Sequence, residues 1–337
     1  MREYDEDDVR VRPPRRTRPR SKNRPRHEDA ATAVVTIVDR GRYQCEVTGR
    51  RHPEAGPEPA VVTAMKARSL GNVRVVVGDR VLLTGDVSGI PGSLARIVEI
   101  SPRRTLLMRT ADDVTPVERP LVANADQMGI VVAAADPEPR QGFVDRCLIA
   151  AFDAGIEPLL IVTKTDLADP TEFVGSYLDL GVRWLGVRPG TAREVLAPVL
   201  ADRASVLVGH SGVGKSTIVN ALVPDADRAI GRVNDVTGRG RHTSSAAVLL
   251  DLPGGGSIID TPGVRSFGLH HVSADTVLQA FGDLAAGTAA CPRGCTHDEP
   301  ECGLDQLVAA GEAPAQRLAS LRRILRTMAE APQAWET

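Results

Sequence analysis

Nine consecutive residues, Gly209-His210-Ser211-Gly212-Val213-Gly214-Lys215-Ser216-Thr217, fit the pattern G-x-x-x-x-G-K-[ST]. Residue types in that order bind the phosphates of a nucleoside triphosphate. Glycines let the backbone curl and aim its N–H groups inward, and a following helix adds the positive end of its dipole. Lys215 brings a point charge to the β- and γ-phosphates, and Ser216 a hydroxyl for Mg²⁺. Downstream, Asp260-Thr261-Pro262-Gly263 offers a carboxylate to hold Mg²⁺ through water and, at Gly263, a backbone N–H for the γ-phosphate. Between the two lies the polar, glycine-rich run Gly238-Arg239-Gly240-Arg241-His242-Thr243. Thr243 is a candidate Mg²⁺ ligand, and His242 a candidate for orienting water or moving a proton, with an ordinary surface histidine as the other reading.

A further set is Thr163-Lys164-Thr165-Asp166. A carboxylate at Asp166 accepts both N1–H and the exocyclic amine of guanine, a paired contact that adenine cannot make, while the Lys164 stem lies along the base plane. This resembles the Asn-Lys-x-Asp base-reading motif of GTPases, with Thr163 in place of the asparagine, so one contact of that motif is weakened. The residue after Gly263 is Val264, where Ras-type enzymes place a glutamine that orients the attacking water. A valine cannot do so, and slow intrinsic hydrolysis is expected.

Near the C-terminus Cys291, Cys295, His297 and Cys302 supply three thiolates and an imidazole within a dozen residues. That donor set suits one tetrahedral Zn²⁺ in a closed structural site. The remaining cysteines, Cys45 and Cys147, fall in apolar runs and read as core thiols.

These residues need a scaffold, and the apolar periodicity supplies one. Residues 128–134, 159–162, 183–187 and 204–208 are buried strands, alternating with helices at 143–152, 173–180, 193–200 and from 218 onward. Repeated βα units imply a mostly parallel sheet with ligands at the carboxyl ends of its strands. Residues 247–252 and 257–260 flank Pro253-Gly254-Gly255-Gly256 as a hairpin. The base-reading residues precede the phosphate loop, the reverse of the order in Ras-like GTPases, so the domain reads as circularly permuted. About five short alternating strands over residues 34–100 suit a small barrel of the oligonucleotide-binding kind. Two helices, at 304–310 and 315–329, follow the cysteine cluster; Arg317, Arg322, Arg323 and Arg326 on the second are either an RNA-facing surface or a solvated face.

The expected division is therefore a basic arm over residues 1–29, a barrel over 30–102, a permuted GTPase domain over 103–270 and a helical zinc-binding domain over 271–337. At 337 residues the chain has length for several domains, and with 3% aromatics its cores must lean on Val, Leu, Ile and Ala. The net charge of −2 hides an acidic cluster at residues 3–8 followed by arginines and prolines at 10–26, an arm expected to be disordered when free and suited either to nucleic acid or to no specific partner. No run of about 18 apolar residues is present and the N-terminus is charged from residue 2, so neither a membrane helix nor a secretory signal is expected, and the cytoplasm is the default.

Taken together, the motif order, the Gly-Arg-Gly-Arg-His-Thr loop, Asp-Thr-Pro-Gly-Val-Arg-Ser-Phe-Gly-Leu from Asp260 and the cysteine cluster resemble the RsgA (YjeQ) family of GTPases over about residues 30–330. The resemblance implies a late maturation factor of the small ribosomal subunit that binds GTP and GDP, contacts ribosomal RNA, acts as a monomer and is stimulated by the subunit. It makes His242 the leading substitute for the missing glutamine, and it carries nothing to Val187-Arg188-Pro189-Gly190, which departs from the family pattern. Two other readings stay open: a P-loop ATPase or nucleotide kinase with a zinc module, kept alive by Thr163, and an RNA-binding scaffold with a vestigial pocket.

Overall fold

A computed structural model describes residues 29–39, 41–49, 61–112, 115–178, 180–224, 226, 247–261, 267, 272–279, 281–299 and 301–329. The expectations placed on residues 1–28, His242, Thr243, Gly263 and Val264 fall outside these residues.

Five strands open the described chain: β1 (Ala31–Asp39), β2 (Arg42–Gly49), β3 (Val61–Lys66), β4 (Arg80–Gly85) and β5 (Ala95–Ile100). Their side chains alternate, so that Ala33, Val35, Cys45, Val62, Leu83 and Ile97 are buried against one another while their neighbours face out. The order β1-β2-β3-β5-β4 closes on itself because β1 also pairs with β4, and β3 lies parallel to β5. Closure leaves the barrel without a free edge. Cys45 is a core thiol, as its apolar run implies, and burial pushes its pKa up to about 12.

Next comes an antiparallel ribbon, β6 (Leu106–Asp112) with β7 (Thr115–Ala123), set apart from the main sheet. The sequence gives no sign of it. Its strands carry arginine and proline and lack the Asn-Gly or Asp-Gly turn that marks a tight hairpin.

A layered α/β body follows. It comprises β8 (Gln127–Ala133), α1 (Gln141–Asp153), β9 (Glu157–Thr163), α2 (Thr171–Leu178), β10 (Arg183–Val187), α3 (Ala192–Leu200), β11 (Ala204–Val208), α4 (Lys215–Leu222), β12 (Val248–Asp251) and β13 (Ser257–Asp260). Strands β10, β9, β8, β11 and β13 run parallel in that order, and β12 returns antiparallel to β13 as the Pro253–Gly256 turn requires. All seven residues of β8 are buried, as a strand covered on both faces must be. α1 and α2 cover one face, with Cys147 in the core there, and α3 and α4 the other. The sequence treats barrel and sheet as separate modules, yet Ile37 of β1 pairs with Val248 of β12 and joins them into one eleven-stranded sheet. The overhanging end of β1 thereby covers the edge of β12.

The remaining elements are α5 (Ala274–Gln279), α6 (Gly282–Ala285), a 3₁₀ turn at Ala286–Ala290, α7 (Gly303–Ala309) and α8 (Ala315–Ala329). On α8, Leu318, Leu321, Ile324 and Leu325 form the buried stripe expected of an amphipathic helix. Its arginines are paired with carboxylates of neighbouring elements. Arg323 donates to both carboxylate oxygens of Asp145 on α1, at 3.2 and 3.3 Å, and lies over the Tyr177 ring. Arg322 forms a fork with Asp305, at 2.9 and 2.7 Å, Arg326 one with Asp298, and Arg317 pairs with Asp283. Asp145 is 2% exposed, and burial raises its pKa more than Arg323 lowers it. The pair thus fixes how α8 seats on α1 more than it adds net stability. Among the described residues no helix is long and apolar enough to cross a membrane.

Candidate nucleotide and metal sites

The phosphate loop joins the carboxyl end of β11 to α4, as the motif demands. Gly214 starts the helix at φ 93°, and Gly212 has φ 82°, both in the left-handed region open to glycine. At Gly209 the constraint is space, because a Cβ there would lie 2.4 Å from the Val131 carbonyl of neighbouring β8. The Lys215 ammonium donates to the Gly209 carbonyl and, at 2.9 Å, to that of His210. Val213 is buried beneath the loop, and the His210 ring lies 4.2 Å from that of Phe143 on α1, so the loop is seated on its neighbours.

Asp260 ends β13, the strand beside β11. Burial raises its pKa while Lys215 lowers it; burial lowers the pKa of Lys215 while Asp260 raises it. Each charge is partly desolvated and leans on the other. A magnesium triphosphate supplies what both lack, anionic oxygens for Lys215 and a cation for Asp260. Ser216, in the first turn of α4 just after β11, and Asp260, at the end of the strand beside β11, are hard oxygen donors, so the residues present fit Mg²⁺.

The base-reading residues sit at the carboxyl end of β9, two strands away in the same parallel set. Thr163 is buried, and its hydroxyl donates to the Val213 carbonyl at 2.6 Å, with the Val132 carbonyl at 3.2 Å. It is a strut from the base-reading turn to the phosphate loop, a role not evident from its sequence position. Lys164, at φ 56°, donates its ammonium to the Asp136 carbonyl. Thr165 and Asp166 line a groove of about 670 Å³ together with Trp184, Gly186, Arg188 and Thr191. The Arg188 N–H donates to Thr191 Oγ1 at 3.0 Å and fixes the turn after β10. Trp184, Gly186, Arg188 and Thr191 are groove residues that the sequence does not mark as a site; the break from helix and strand periodicity at Arg188-Pro189-Gly190 is the one signal it offers.

The four C-terminal ligand candidates converge. The donor atoms of Cys291, Cys295, His297 and Cys302 all lie within 4.8 Å of one another. Cys291 Sγ is 3.7 Å from Cys302 Sγ and 3.6 Å from His297 Nδ1, and Cys302 Sγ is 3.7 Å from the same nitrogen. With Zn–S near 2.3 Å, a regular tetrahedron has edges of about 3.8 Å, so the group fits a metal ion. His297 adopts φ 68° to face the cysteines, and Arg322 Nε donates to its carbonyl at 2.8 Å, which ties the cluster to α8.

The family model described as RsgA GTPase matches residues 100–270. The Pseudomonas aeruginosa (strain LESB58) protein named small ribosomal subunit biogenesis GTPase RsgA is 41% identical over 266 residues, 76% of each chain. A Vibrio vulnificus (strain YJ016) protein named small ribosomal subunit biogenesis GTPase RsgA 1 is 37% identical over 266 residues, covering 76% of this chain and 75% of its own. Among solved structures, YjeQ from Thermotoga maritima superposes with a TM-score of 0.65 at 25% identity, covering 89% of this chain and 99% of its own. YloQ, described as a circularly permuted GTPase, shares the fold with a TM-score of 0.63 at 21% identity, covering 92% of this chain and 99% of its own.

Proposed function

This chain belongs to the RsgA family of GTPases, and from that premise we propose how its residues carry out the reaction. The protein hydrolyses GTP and acts in the biogenesis of the small ribosomal subunit, the role for which its relatives are named. The observation that carries the reading is the convergence of Gly209–Thr217, Asp260 and Thr163–Asp166 at the carboxyl ends of one parallel set of strands, in permuted order.

In our reading the amides of Gly209–Thr217 and the Lys215 ammonium neutralise the β- and γ-phosphates, which is where charge develops in phosphoryl transfer. Ser216, with Asp260 through water and Thr243, would hold Mg²⁺, which would supply positive charge to the phosphates. The Gly263 N–H meets the γ-phosphate, and His242 orients the attacking water in place of a glutamine. Asp166 selects guanine, Lys164 lies along the base, and Thr163 holds the reading turn in register with the loop. Zn²⁺ at Cys291, Cys295, His297 and Cys302 is structural, since four protein ligands leave no open position. The barrel faces ribosomal RNA in the cytoplasm.

Asp166→Asn tests the base reading. The amide cannot accept from both N1–H and the amine of guanine, and unpaired groups in such a site cost several powers of ten in discrimination. Competition binding should show the wild type preferring GTP over ATP by at least ~10³-fold and the variant losing most of that preference. Equal affinity of the wild type for the two nucleotides would restore the ATPase reading.

A further inference from the structure

Beside the phosphate loop lies a cleft of about 440 Å³ lined by Val132, Pro137, Arg140, His210, Ser211 and Val213. Its outer wall is the segment that leaves the carboxyl end of β8, next to β11 in the sheet. Two contacts brace that segment against the nucleotide-binding elements. At one end the ammonium of Lys164, from the base-reading turn, holds the carbonyl of Asp136. At the other, Phe143 in the first turn of α1 sets its ring 4.2 Å from that of His210. Arg140 lies between the braces, immediately before α1, and its backbone carbonyl accepts from the N–H groups of Phe143 and Val144. Its position beside the loop is therefore fixed within one helical turn of a residue that touches the loop.

The Arg140 guanidinium is exposed and, among the described residues, makes no ion pair and donates no hydrogen bond. The Glu138 carboxylate lines the same cleft and does not pair with it. A planar five-donor cation whose backbone is fixed beside a phosphate-binding loop, with its donors unspent, matches the needs of a terminal phosphoryl group in flight. We propose that Arg140 is a catalytic residue, a cation supplied from within the chain to the γ-phosphoryl group as GTP is hydrolysed.

In that step the water oxygen forms a bond to Pγ while the bond from Pγ to the β,γ-bridging oxygen breaks. The electron pair of the broken bond passes to that oxygen as GDP leaves, and the water proton leaves with inorganic phosphate or to solvent. Arg140 neutralises charge on the γ and bridging oxygens and takes part in no bond. An arginine in this role is worth about 10³–10⁵ in rate in enzymes that use one. It complements a site in which Val264 cannot orient water, because charge neutralisation and water positioning are separable contributions.

The proposal rests on the GTPase reading of the site, and its test keeps the two apart. The full chain is compared with Arg140→Ala and Arg140→Lys, in the presence of purified small ribosomal subunits, for GTP turnover and for binding of GDP with and without aluminium fluoride. Arg140→Ala should lower turnover at least ~10²-fold, leave GDP affinity within about 3-fold of wild type, and lose the tightening that aluminium fluoride confers. Arg140→Lys keeps the charge without the fork and should fall between. Lys215→Ala, in the same assays, should lose GDP binding itself, so failure of the nucleotide site is visible separately. Turnover by Arg140→Ala within about 3-fold of wild type would overturn the proposal, as would equal loss of GDP binding with and without aluminium fluoride. Should Arg140→Ala lower the melting temperature sharply, Arg140→Lys decides: wild-type turnover in a folded lysine variant would equally overturn it.

Discussion

Replacing Lys215 with alanine will remove GTP hydrolysis and most nucleotide affinity while leaving the fold intact. The ammonium is the one side-chain cation the loop itself carries, and in the described structure it is held by the carbonyls of Gly209 and His210. Its loss leaves the β- and γ-phosphates to backbone N–H groups and the metal. Removing one preorganised charge of this kind costs about 10²–10³ in rate. Stability should move the other way or not at all. Burial lowers the pKa of Lys215, so its charged form is a burden in the folded state, only partly relieved by Asp260. The variant is expected to melt within about 2 °C of wild type without nucleotide and to lose the stabilisation that GDP gives. Turnover within 10-fold of wild type in a folded Lys215→Ala protein would contradict the mechanism.

The second large effect concerns the metal cluster. Wild-type protein should contain one zinc per chain, and Cys302→Ser or a strong chelator should release it. Cys302 is buried at the head of α7, and its sulfur lies within 3.7 Å of both Cys291 and His297, so serine there removes a ligand that no neighbour replaces. Zinc binding contributes roughly 10 kcal/mol or more to folding of small domains built around it. Here the loss should be confined to the elements the cluster ties together, the 3₁₀ turn, α7 and the part of α8 that Arg322, at its middle, fastens to His297. Limited proteolysis should cut among residues 286–329 first. GDP binding by the loop should survive, and any response to ribosomal subunits should be lost. Metal analysis that finds no zinc in the purified protein, or a variant that responds as wild type does, would contradict this.

What the sequence makes legible is what lies close together along the chain. The phosphate loop, the reading turn and the cysteine cluster each occupy a few consecutive residues, and each adopts the strand–turn–helix or knuckle context that its residue types require. Strands of the barrel are equally plain, because Val35, Cys45, Val62 and Leu83 sit at alternate positions in runs bounded by turns. The unread features are long-range or depend on pairing. Nothing local to Ile37 or Val248 announces that β1 extends the sheet through β12. The arginines of α8 look like a basic face until Asp145, far away in sequence, closes on Arg323. Thr163 departs from the usual asparagine as a base contact, but its hydroxyl spans to Val213, fifty residues on. The β6–β7 ribbon has neither strong alternation nor a marked turn.

In the proposed mechanism the loop built on Lys215 is half of an active site that the small ribosomal subunit completes. The direct measurement is single-turnover GTP hydrolysis by the full chain, with and without purified small ribosomal subunits at saturating concentration. Hydrolysis by the protein alone should be slow, because Val264 cannot orient water, and the subunits should stimulate it at least ~10²-fold. Turnover unchanged by the subunits would contradict it.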